Sequence, residues 1–357
     1  MKRKNLALAL AVSSVLATPA ANAVQVAGDA LEVYGKWHMS VDFSDDDSAK
    51  GSNTSISSNS SRLGFKGKHA IENNNMSAIW QIETEINPDH GGDTWAGRNS
   101  FVGVQGSLGT LIFGLHDTPF KTVAGKWDMF GDTIGDRRAI LGASHIAADN
   151  NLMNQRGKNA LMYMNTFNNN VEVQAMYSAD GGDSAPGNMD INDNDMSSVA
   201  AIYHEGPLSL AAAYEDWSNL KSKGKVHGTR VSGGYDFGQV MVGAIYESTE
   251  GDTYKALSRN AMGVNAAFKA NATTTLKAQF MSVDDADDAS NTGATMTTVG
   301  AFKKLDKQTD VYLAYTQTSN DSNAAFAAVG GGHGDKVIPT ANDASPSSLS
   351  AGFMYKF

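Results

Sequence analysis

The sequence predicts an all-β protein, namely a transmembrane antiparallel β-barrel of about 16 strands. Three observations predict this fold class. Apolar and polar residues alternate in many segments, short and long connections alternate between those segments, and no apolar run beyond the N-terminus reaches the ~18 residues of a membrane helix. The 36 glycines among 357 residues are also typical of a turn-rich β protein.

The N-terminal segment has the features of a secretory signal peptide, residues 1–23. Residues 2–4 are basic, residues 6–17 are largely apolar, and Ala21-Asn22-Ala23 is a small-x-small cleavage site. A buried first helix is the alternative, which is disfavoured because nothing caps or continues it. Cleavage would leave one barrel domain, 24–357, and change the formal net charge from −10 to −13, because three bases and no acids are lost. The net negative charge of an exported protein argues against nucleic acid as a partner, because binding it needs a basic surface.

The first predicted strand, near 29–44, shows the alternation most clearly. One parity is mainly apolar from Val33 to Phe43, and the other is mainly polar from Glu32 to Asp42. Successive side chains of a strand point to opposite faces, so this segment has one apolar and one polar face. At about 3.3 Å per residue it is longer than an ordinary globular strand.

The same pattern recurs along the chain and defines the predicted topology. The predicted strands lie near 29–44, 56–70, 75–87, 96–107, 109–117, 157–168, 170–180, 195–204, 207–217, 225–236, 239–249, 257–268, 272–283, 293–303, 309–318 and 347–357. Long polar connections are predicted at 45–55, 118–156, 181–194, 218–224, 250–256, 284–292 and 319–346.

The sorting of short and long connections to opposite ends distinguishes two all-β architectures. A soluble sandwich has no reason to sort its loops in this way. A transmembrane barrel has tight periplasmic turns, long outer loops, a lipid-facing apolar face and a polar lumen. Closure also leaves no strand edge unpaired in hydrocarbon, and a barrel of this size is too wide for side chains to fill. Tyrosine and tryptophan near strand ends suit interfacial girdles.

Several motifs follow one another in a distinctive order and spacing. They are Val33-Tyr34-Gly35-Lys36, Ser61-Arg62-Leu63-Gly64-Phe65-Lys66-Gly67, Arg98-Asn99-Ser100-Phe101-Val102-Gly103, Leu108-Gly109-Thr110-Leu111-Ile112-Phe113-Gly114, Met129-Phe130-Gly131-Asp132 and a terminal Phe357. Together they resemble the general porins of Gram-negative outer membranes, the trimeric sixteen-strand type. The resemblance covers essentially the whole mature chain.

The resemblance implies that the third long loop folds into the pore and forms a constriction. Basic residues on the wall would then face acids on the loop. The implied wall residues are Lys36, Arg62, Arg98 and Arg156, and the implied loop acids are among Asp128, Asp132 and Asp136. Parity independently places Lys36 and Arg62 on polar strand faces.

The third loop carries two further sequence features. Its acids recur every four residues, so we expect them on one face of a short helical turn. The adjacent Arg137-Arg138 pair places cations on the same loop, where they would offset part of the acidic field. A loop as long as 118–156 is usually functional.

The resemblance also implies location and partners. We expect a homotrimer in the cell outer membrane, in contact with its lipid, inserted by the barrel-assembly machinery. That machinery would read the terminal strand ending in Phe357.

Motifs for catalysis or cofactor binding are weak. The sequence contains no cysteine, which excludes disulfides, Cys-ligated zinc and thiol catalysis. Ser144-His145 could supply a nucleophile and a base, but two polar residues in a solvated loop explain it better. Asp190-x-Asn192-x-Asn194 begins like a calcium loop, yet Asp195 replaces the turn glycine and Ala201 the bidentate glutamate. We therefore expect neither an enzyme nor a cofactor.

The predicted function is passive diffusion of small hydrophilic solutes and ions through a water-filled pore, with a weak cation preference. A channel selective for a sugar, anion or peptide is the first alternative. It would need an aromatic track or a dense cluster of one charge in the lumen. A structural or adhesive barrel without conduction is the second alternative.

Overall fold

The computed structural model of the chain describes residues 24–72, 74–92, 95–142, 152–179 and 194–357, so the predicted signal peptide lies outside it. Its long strands are β1 (Glu32–Asp45), β2 (Ser52–Ser58 and Arg62–Ala70), β3 (Ser77–Glu85), β4 (Ser100–Gly106), β5 (Gly109–Asp117), β6 (Arg156–Phe167), β7 (Val171–Ser178), β8 (Met196–Glu205), β9 (Leu208–Trp217), β10 (Val226–Asp236), β11 (Val240–Gly251), β12 (Arg259–Lys269), β13 (Thr274–Val283), β14 (Ala294–Lys304), β15 (Thr309–Asn320) and β16 (Ser347–Lys356).

These 16 strands form a closed antiparallel ring in which every strand pairs with its neighbours in sequence. The last strand closes the ring by pairing with the first, with Leu349 opposite Phe43 and Tyr355 opposite Trp37. The predicted fold class and strand number are confirmed. Closure satisfies the backbone groups of every strand, as a bilayer requires.

Three boundaries differ from the prediction. The first strand begins at Glu32, because Val24–Gln25 forms a separate two-residue strand that pairs back onto it. The second begins at Ser52 and is interrupted at 59–61, where Ser60 has a φ of +51°. The connection between β3 and β4 covers residues 86–99 and is longer than the 88–95 left between the predicted strands.

Burial follows the predicted alternation with the polar face inward. On β1, Asp42 is 1% exposed and Ser40 is 3% exposed, whereas Phe43 is 55% exposed. Trp37 on β1 and Tyr315 on β15 also lie on the exposed outer face. An apolar outer face and a polar inner face are what a barrel in lipid needs.

The helical elements are short and lie in connections. They are α1 (Pro119–Thr122) and the 3₁₀ turns Gly125–Trp127, Arg137–Ala139, Leu220–Ser222 and Lys255–Leu257. No helix within the described residues is long and apolar enough to cross a membrane.

Two loops fill part of the lumen and build an apolar core there. The third loop, residues 118–155, contributes Trp127 and Phe130, and the last loop, residues 321–346, contributes Phe326. These side chains pack with wall residues such as Met281, and the four are each at most 1% exposed. The barrel interior is therefore partly a packed protein core.

Candidate functional site

One side of the third loop is fixed to the barrel wall through its backbone. Ser232 Oγ donates to the carbonyl of Val123 at 2.6 Å, and Gln279 Nε2 donates to that of Gly135 at 2.7 Å. Asn265 Nδ2 donates to the Trp127 carbonyl at 2.5 Å. Wall strands β10 to β13 thus satisfy loop carbonyls that would otherwise be buried without partners. We call this side of the loop the anchored side.

A buried ion pair completes the anchored side. The Arg230 guanidinium contacts the Glu247 carboxylate, and the two side chains are 0% and 2% exposed. Arg230 Nη1 also donates to the Phe120 carbonyl at 2.8 Å, while Glu247 Oε1 accepts from the Gly142 backbone at 2.7 Å. Each charge therefore joins the wall to the loop as well as to its partner. Hydrogen bonds of this kind offset the cost of burying both ions.

The opposite side of the loop presents the Asp132 carboxylate to the basic wall. Asp132 Oδ2 lies 2.7 Å from Lys36 Nζ and 3.9 Å from Arg62 Nη1. Asp132 Oδ1 accepts from Arg138 Nη2 at 2.9 Å. Burial would raise the pKa of Asp132, but Lys36 and Arg138 hold it well below its usual range. This arrangement of Asp132, Lys36, Arg62 and Arg138 is called the charge constriction below.

Register explains why the two wall bases are adjacent. Lys36 on β1 lies directly opposite Arg62 on β2. Like charges placed opposite each other on neighbouring strands repel and destabilise the pair. The Asp132 carboxylate between them compensates for that repulsion, so wall and loop depend on each other electrostatically.

The other two predicted loop acids serve the loop itself. Asp128 lies 2.9 Å from Arg137 Nη1, and Asp136 accepts from the Arg138 backbone at 2.9 Å and from Nε of Arg138 at 2.8 Å. Their side chains are 4% and 0% exposed, so both carboxylates are buried. Burial, together with the neighbouring Asp136, raises the pKa of Asp128.

The expectation that these acids share one helical face is wrong. Residues 128–136 form successive turns, and Asp132 itself has a φ of +60°, outside the right-handed helical region. The turns direct Asp132 towards the wall and direct Asp128 and Asp136 into the loop. Local turn geometry therefore separates acids that the four-residue spacing had grouped.

The remaining predicted wall bases have their own acidic partners. Arg98 Nε lies 2.6 Å from Glu83 Oε1, and Arg98 Nη1 lies 2.9 Å from Glu85 Oε2. Arg156 Nε lies 3.1 Å from Asp117 Oδ1. The structure thus brings Lys36 and Arg62 to the loop carboxylate but pairs Arg98 and Arg156 with carboxylates of the wall.

Sequence reasoning missed these wall acids. Glu83 and Glu85 could have been found from the sequence. With Gln81 they form the polar face of β3, alternating with Trp80 and Ile82. Asp117 had a weaker signal. The pairing of β5 with β6 shifts register between Gly114 and His116, just before Asp117. A bulge of this kind changes the face to which the following side chains point.

A lysine of the third loop shares the Asp117 carboxylate. Lys121 Nζ lies 2.6 Å from Asp117 Oδ1, the oxygen that Arg156 also contacts. Burial, with the nearby positive charges of Arg156 and Arg138, lowers the pKa of Lys121 to about 7 against the opposing attraction of Asp117. Its charge therefore titrates near neutral pH.

The C-terminal residue closes the seam of the barrel. The backbone NH of Phe357 donates to the Gly35 carbonyl at 3.1 Å, and the Gly35 NH donates back to the Phe357 carbonyl at 2.8 Å. The Phe357 ring occupies the space where a side chain at position 35 would lie. This tight fit explains why a glycine stands in the first strand at this point.

The weaker motifs of the sequence fall largely elsewhere. Ser144-His145 and the start of the calcium-like motif, Asp190 and Asn192, lie outside the described residues. Within the described ranges, no group of three or more His, Cys, Asp or Glu side chains could hold a metal ion.

A closed barrel with a polar interior, an apolar exterior and an inward loop that carries opposed charges defines a transmembrane channel protein of the β-barrel class. Residues 7–323 match the Gram-negative porin family. The chain belongs to that family, which confirms the resemblance seen in the sequence and the expected location in the outer membrane.

Individual relatives match over shorter stretches or at low identity. The major outer membrane protein P.IB of Neisseria sicca is 38% identical over 68 residues, 19% of this chain and 19% of that protein. The chain thus covers about a fifth of the length of that curated relative.

Two solved structures show the same fold over nearly the whole chain. The anion-selective porin from Comamonas acidovorans has a TM-score of 0.76 at 19% identity, over 92% of this chain and 99% of that one. The trimer form of in-vitro folded OmpT, an outer membrane protein of Vibrio cholerae, has a TM-score of 0.68 at 19% identity, also over 92% and 99%.

Proposed function

We propose that the protein is an outer-membrane channel for passive diffusion of small hydrophilic solutes and ions, without catalysis or energy coupling. The observation that carries this proposal is the charge constriction: a loop carboxylate held 2.7 Å from a wall lysine inside a closed barrel with an inward polar face. Fixed charges of both signs in a narrow aqueous passage filter by size and charge.

The charges support only a weak cation preference. Lys36, Arg98 and Arg156 each contact a carboxylate, so opposite charges at the constriction largely cancel. Beyond the constriction, the mature charge of −13 (−10 − 3) attracts cations to the mouth, but only within ~8–10 Å at physiological salt. Lys36, Arg62, Arg98, Arg156 and Asp132 are the proposed filter residues; Asp128 and Asp136 would act indirectly, by holding the loop arginines.

Planar-bilayer recording of the purified protein tests the channel function. We expect discrete current steps that scale with salt concentration, and entry of small neutral sugars in liposome-swelling assays. No steps in any salt would favour a structural barrel. Strong uptake of one sugar, anion or peptide over others of equal size would favour the selective channel.

Partners and assembly follow from the same proposal. We propose a homotrimer surrounded by outer-membrane lipid, and cross-linking in mild detergent should give three times the monomer mass. A strictly monomeric pore would contradict this.

We also propose that residues 1–23 are removed on export and that Phe357 acts as the signal for the barrel-assembly machinery. Deleting Phe357 should lower the yield of heat-modifiable barrel, because the seam with Gly35 loses its last backbone pair. A normal yield of barrel from the deletion would contradict the role of Phe357.

A further inference from the structure

The last loop turns back into the barrel at its first half. Residues 326–330 are buried, and Phe326, Ala328 and Val329 belong to the same apolar cluster as Phe130 of the third loop. The sequence predicts only a long polar connection at 319–346. The structure instead packs it against the third loop.

The base of this inward segment is held by the last residues of β15. Asn320 Nδ2 donates to the carbonyls of Phe326 at 3.1 Å and Ala344 at 2.8 Å, and Asn320 Oδ1 accepts from the Phe326 NH at 2.6 Å. The NH of Ala328 donates to the carbonyl of Val337 at 3.1 Å. Residues 329–336 therefore form a protrusion whose two ends meet; we call it the strap.

The strap lies directly on the charge constriction. A Cβ atom at Gly332 would overlap Arg138 Nη2 and the carboxylate oxygens of Asp136 and Asp132. A Cβ atom at Gly330 would overlap the backbone of Asp136 and Ala139. Only glycine permits this approach. The strap thus occupies the space beside the Asp132 carboxylate, which the third loop presents to the basic wall.

The tip of the strap is bound to the wall by polar contacts. His333 Nε2 lies 3.2 Å from Asp42 Oδ2, with both side chains about 1% exposed, and 3.3 Å from Ser40 Oγ. Ser60 Oγ donates to the Gly332 carbonyl at 2.9 Å, and the Gly334 NH donates to Asn59 Oδ1 at 3.1 Å.

The interruption of β2 makes two of these contacts possible. Residues 59–61 leave the regular ladder, and Ser60 adopts a positive φ, so their side chains meet the strap. We call the contacts of His333, Gly332 and Gly334 with the wall the latch. An interruption in a strand commonly redirects side chains in this way.

We propose that the strap is a second size-determining element of the pore, placed beside the charge constriction and held there by the latch. This inference rests on the proposed channel function and extends it. The open cross-section is then set by two loops, because the third loop narrows one side of the passage and the strap covers part of what remains. Conductance and solute size limit both depend on that cross-section.

Excision of the strap tests the proposal with little disturbance of the loop base. Residues 329–336 are replaced by Asn-Gly, a two-residue turn suited to joining paired ends such as those at Ala328 and Val337. Single-channel conductance and liposome swelling with sugars of increasing size are measured. We expect conductance to rise at least about twofold and larger sugars to enter.

A substitution pair tests the latch without shortening the chain. Ser60→Ala with His333→Ala removes contacts to the Gly332 carbonyl and to Asp42, and should give conductance levels between those of the native and excised channels. The matched control is Ser52→Ala with His69→Ala, which makes the same two chemical changes at exposed positions of β2. The control should keep the native conductance.

The outcomes separate this inference from the proposed function. The excised variant and the double substitution Ser60→Ala with His333→Ala must each form a heat-modifiable barrel. If both then keep the native conductance, the proposed role of the strap is wrong, while the proposed channel function stands. If the excised variant does not form a barrel, the conductance of the double substitution Ser60→Ala with His333→Ala alone decides whether the strap limits the pore. An absence of conductance in every variant would overturn the channel function and the strap together.

Discussion

The two sides of the third loop are built from different interactions. The anchored side uses buried apolar side chains such as Trp127 and Phe130, wall donors to loop carbonyls, and the enclosed Arg230–Glu247 pair. The side at the charge constriction uses Asp132 against Lys36 and Arg62. The difference separates positioning from selectivity: one side fixes the loop in place, and the other offers charges to the passing ion.

The physical consequences of the two sides differ accordingly. Apolar packing and buried hydrogen bonds respond little to salt, whereas partly exposed charges are screened by it. Substitutions on the anchored side should therefore change stability first, and substitutions at the charge constriction should change selectivity first. The following predictions test that division, from the largest expected effect to the smallest.

Arg230→Ala should be the most destabilising change. It leaves the Glu247 carboxylate buried without its guanidinium partner, which costs ~3–5 kcal/mol in comparable buried pairs. The measurement is guanidinium unfolding of the detergent-folded barrel followed by tryptophan fluorescence. Conductance should also change, because the loop loses the bond from Arg230 to the Phe120 carbonyl.

The matched control is Lys269→Ala at an exposed pair. Lys269 Nζ lies 4.0 Å from Asp236 Oδ2, with the side chains 56% and 44% exposed. Surface pairs of this kind contribute ~0–1 kcal/mol, so unfolding should hardly shift. Equal destabilisation by the two substitutions would contradict the positioning role of the anchored side.

Asp132→Asn should have a smaller effect on stability. The neutral amide leaves Lys36 and Arg138 with weaker acceptors, at a cost of ~1–3 kcal/mol in the unfolding free energy. The cost is not negligible, because the Lys36 side chain is only 7% exposed and that of Asp132 only 23%. Asp236→Asn, at an exposed position, is the control for the unfolding measurement. A cost larger than that of Arg230→Ala would reverse the assignment of the two sides.

The smallest effect expected is a pH dependence of selectivity. Raising the pH from about 6 to about 8 removes the Lys121 charge, because burial lowers the pKa of that lysine to about 7. Asp132 stays ionised across this range, since its pKa is held well below its usual value. Loss of one positive charge should slightly strengthen the cation preference. Lys121→Met should reduce this pH-dependent change, and Asp128, whose pKa is raised by burial to about 6, contributes to what remains. If the change in cation preference between the two pH values is as large in Lys121→Met as in the native channel, this lysine is not its source.

The fold was largely predictable from the sequence because the barrel imposes a strict two-residue period on every strand. The sixteen strands follow from that period. The connection 86–99 is longer than the 88–95 left between the predicted strands. The inward path of the last loop was missed because Phe326 and Val329 carry no periodicity.

The candidate site was predictable only in part. Parity identified Lys36 and Arg62, since a strand places them on the lumen face whatever the loops do. The partners of Asp128 and Asp136 depend on turn geometry within the third loop, and those of Arg156 on a bulge before Asp117. Neither feature leaves a regular spacing in the sequence.

The most direct test of the account is the zero-current potential across a KCl gradient, measured for the native channel, Arg62→Glu and Asp132→Lys. The proposed selectivity filter is the charge constriction. We therefore expect a small cation-selective potential for the native channel, a larger one for Arg62→Glu, and a shift towards anions for Asp132→Lys. If both substitutions leave the native potential unchanged, the filter lies elsewhere in the pore.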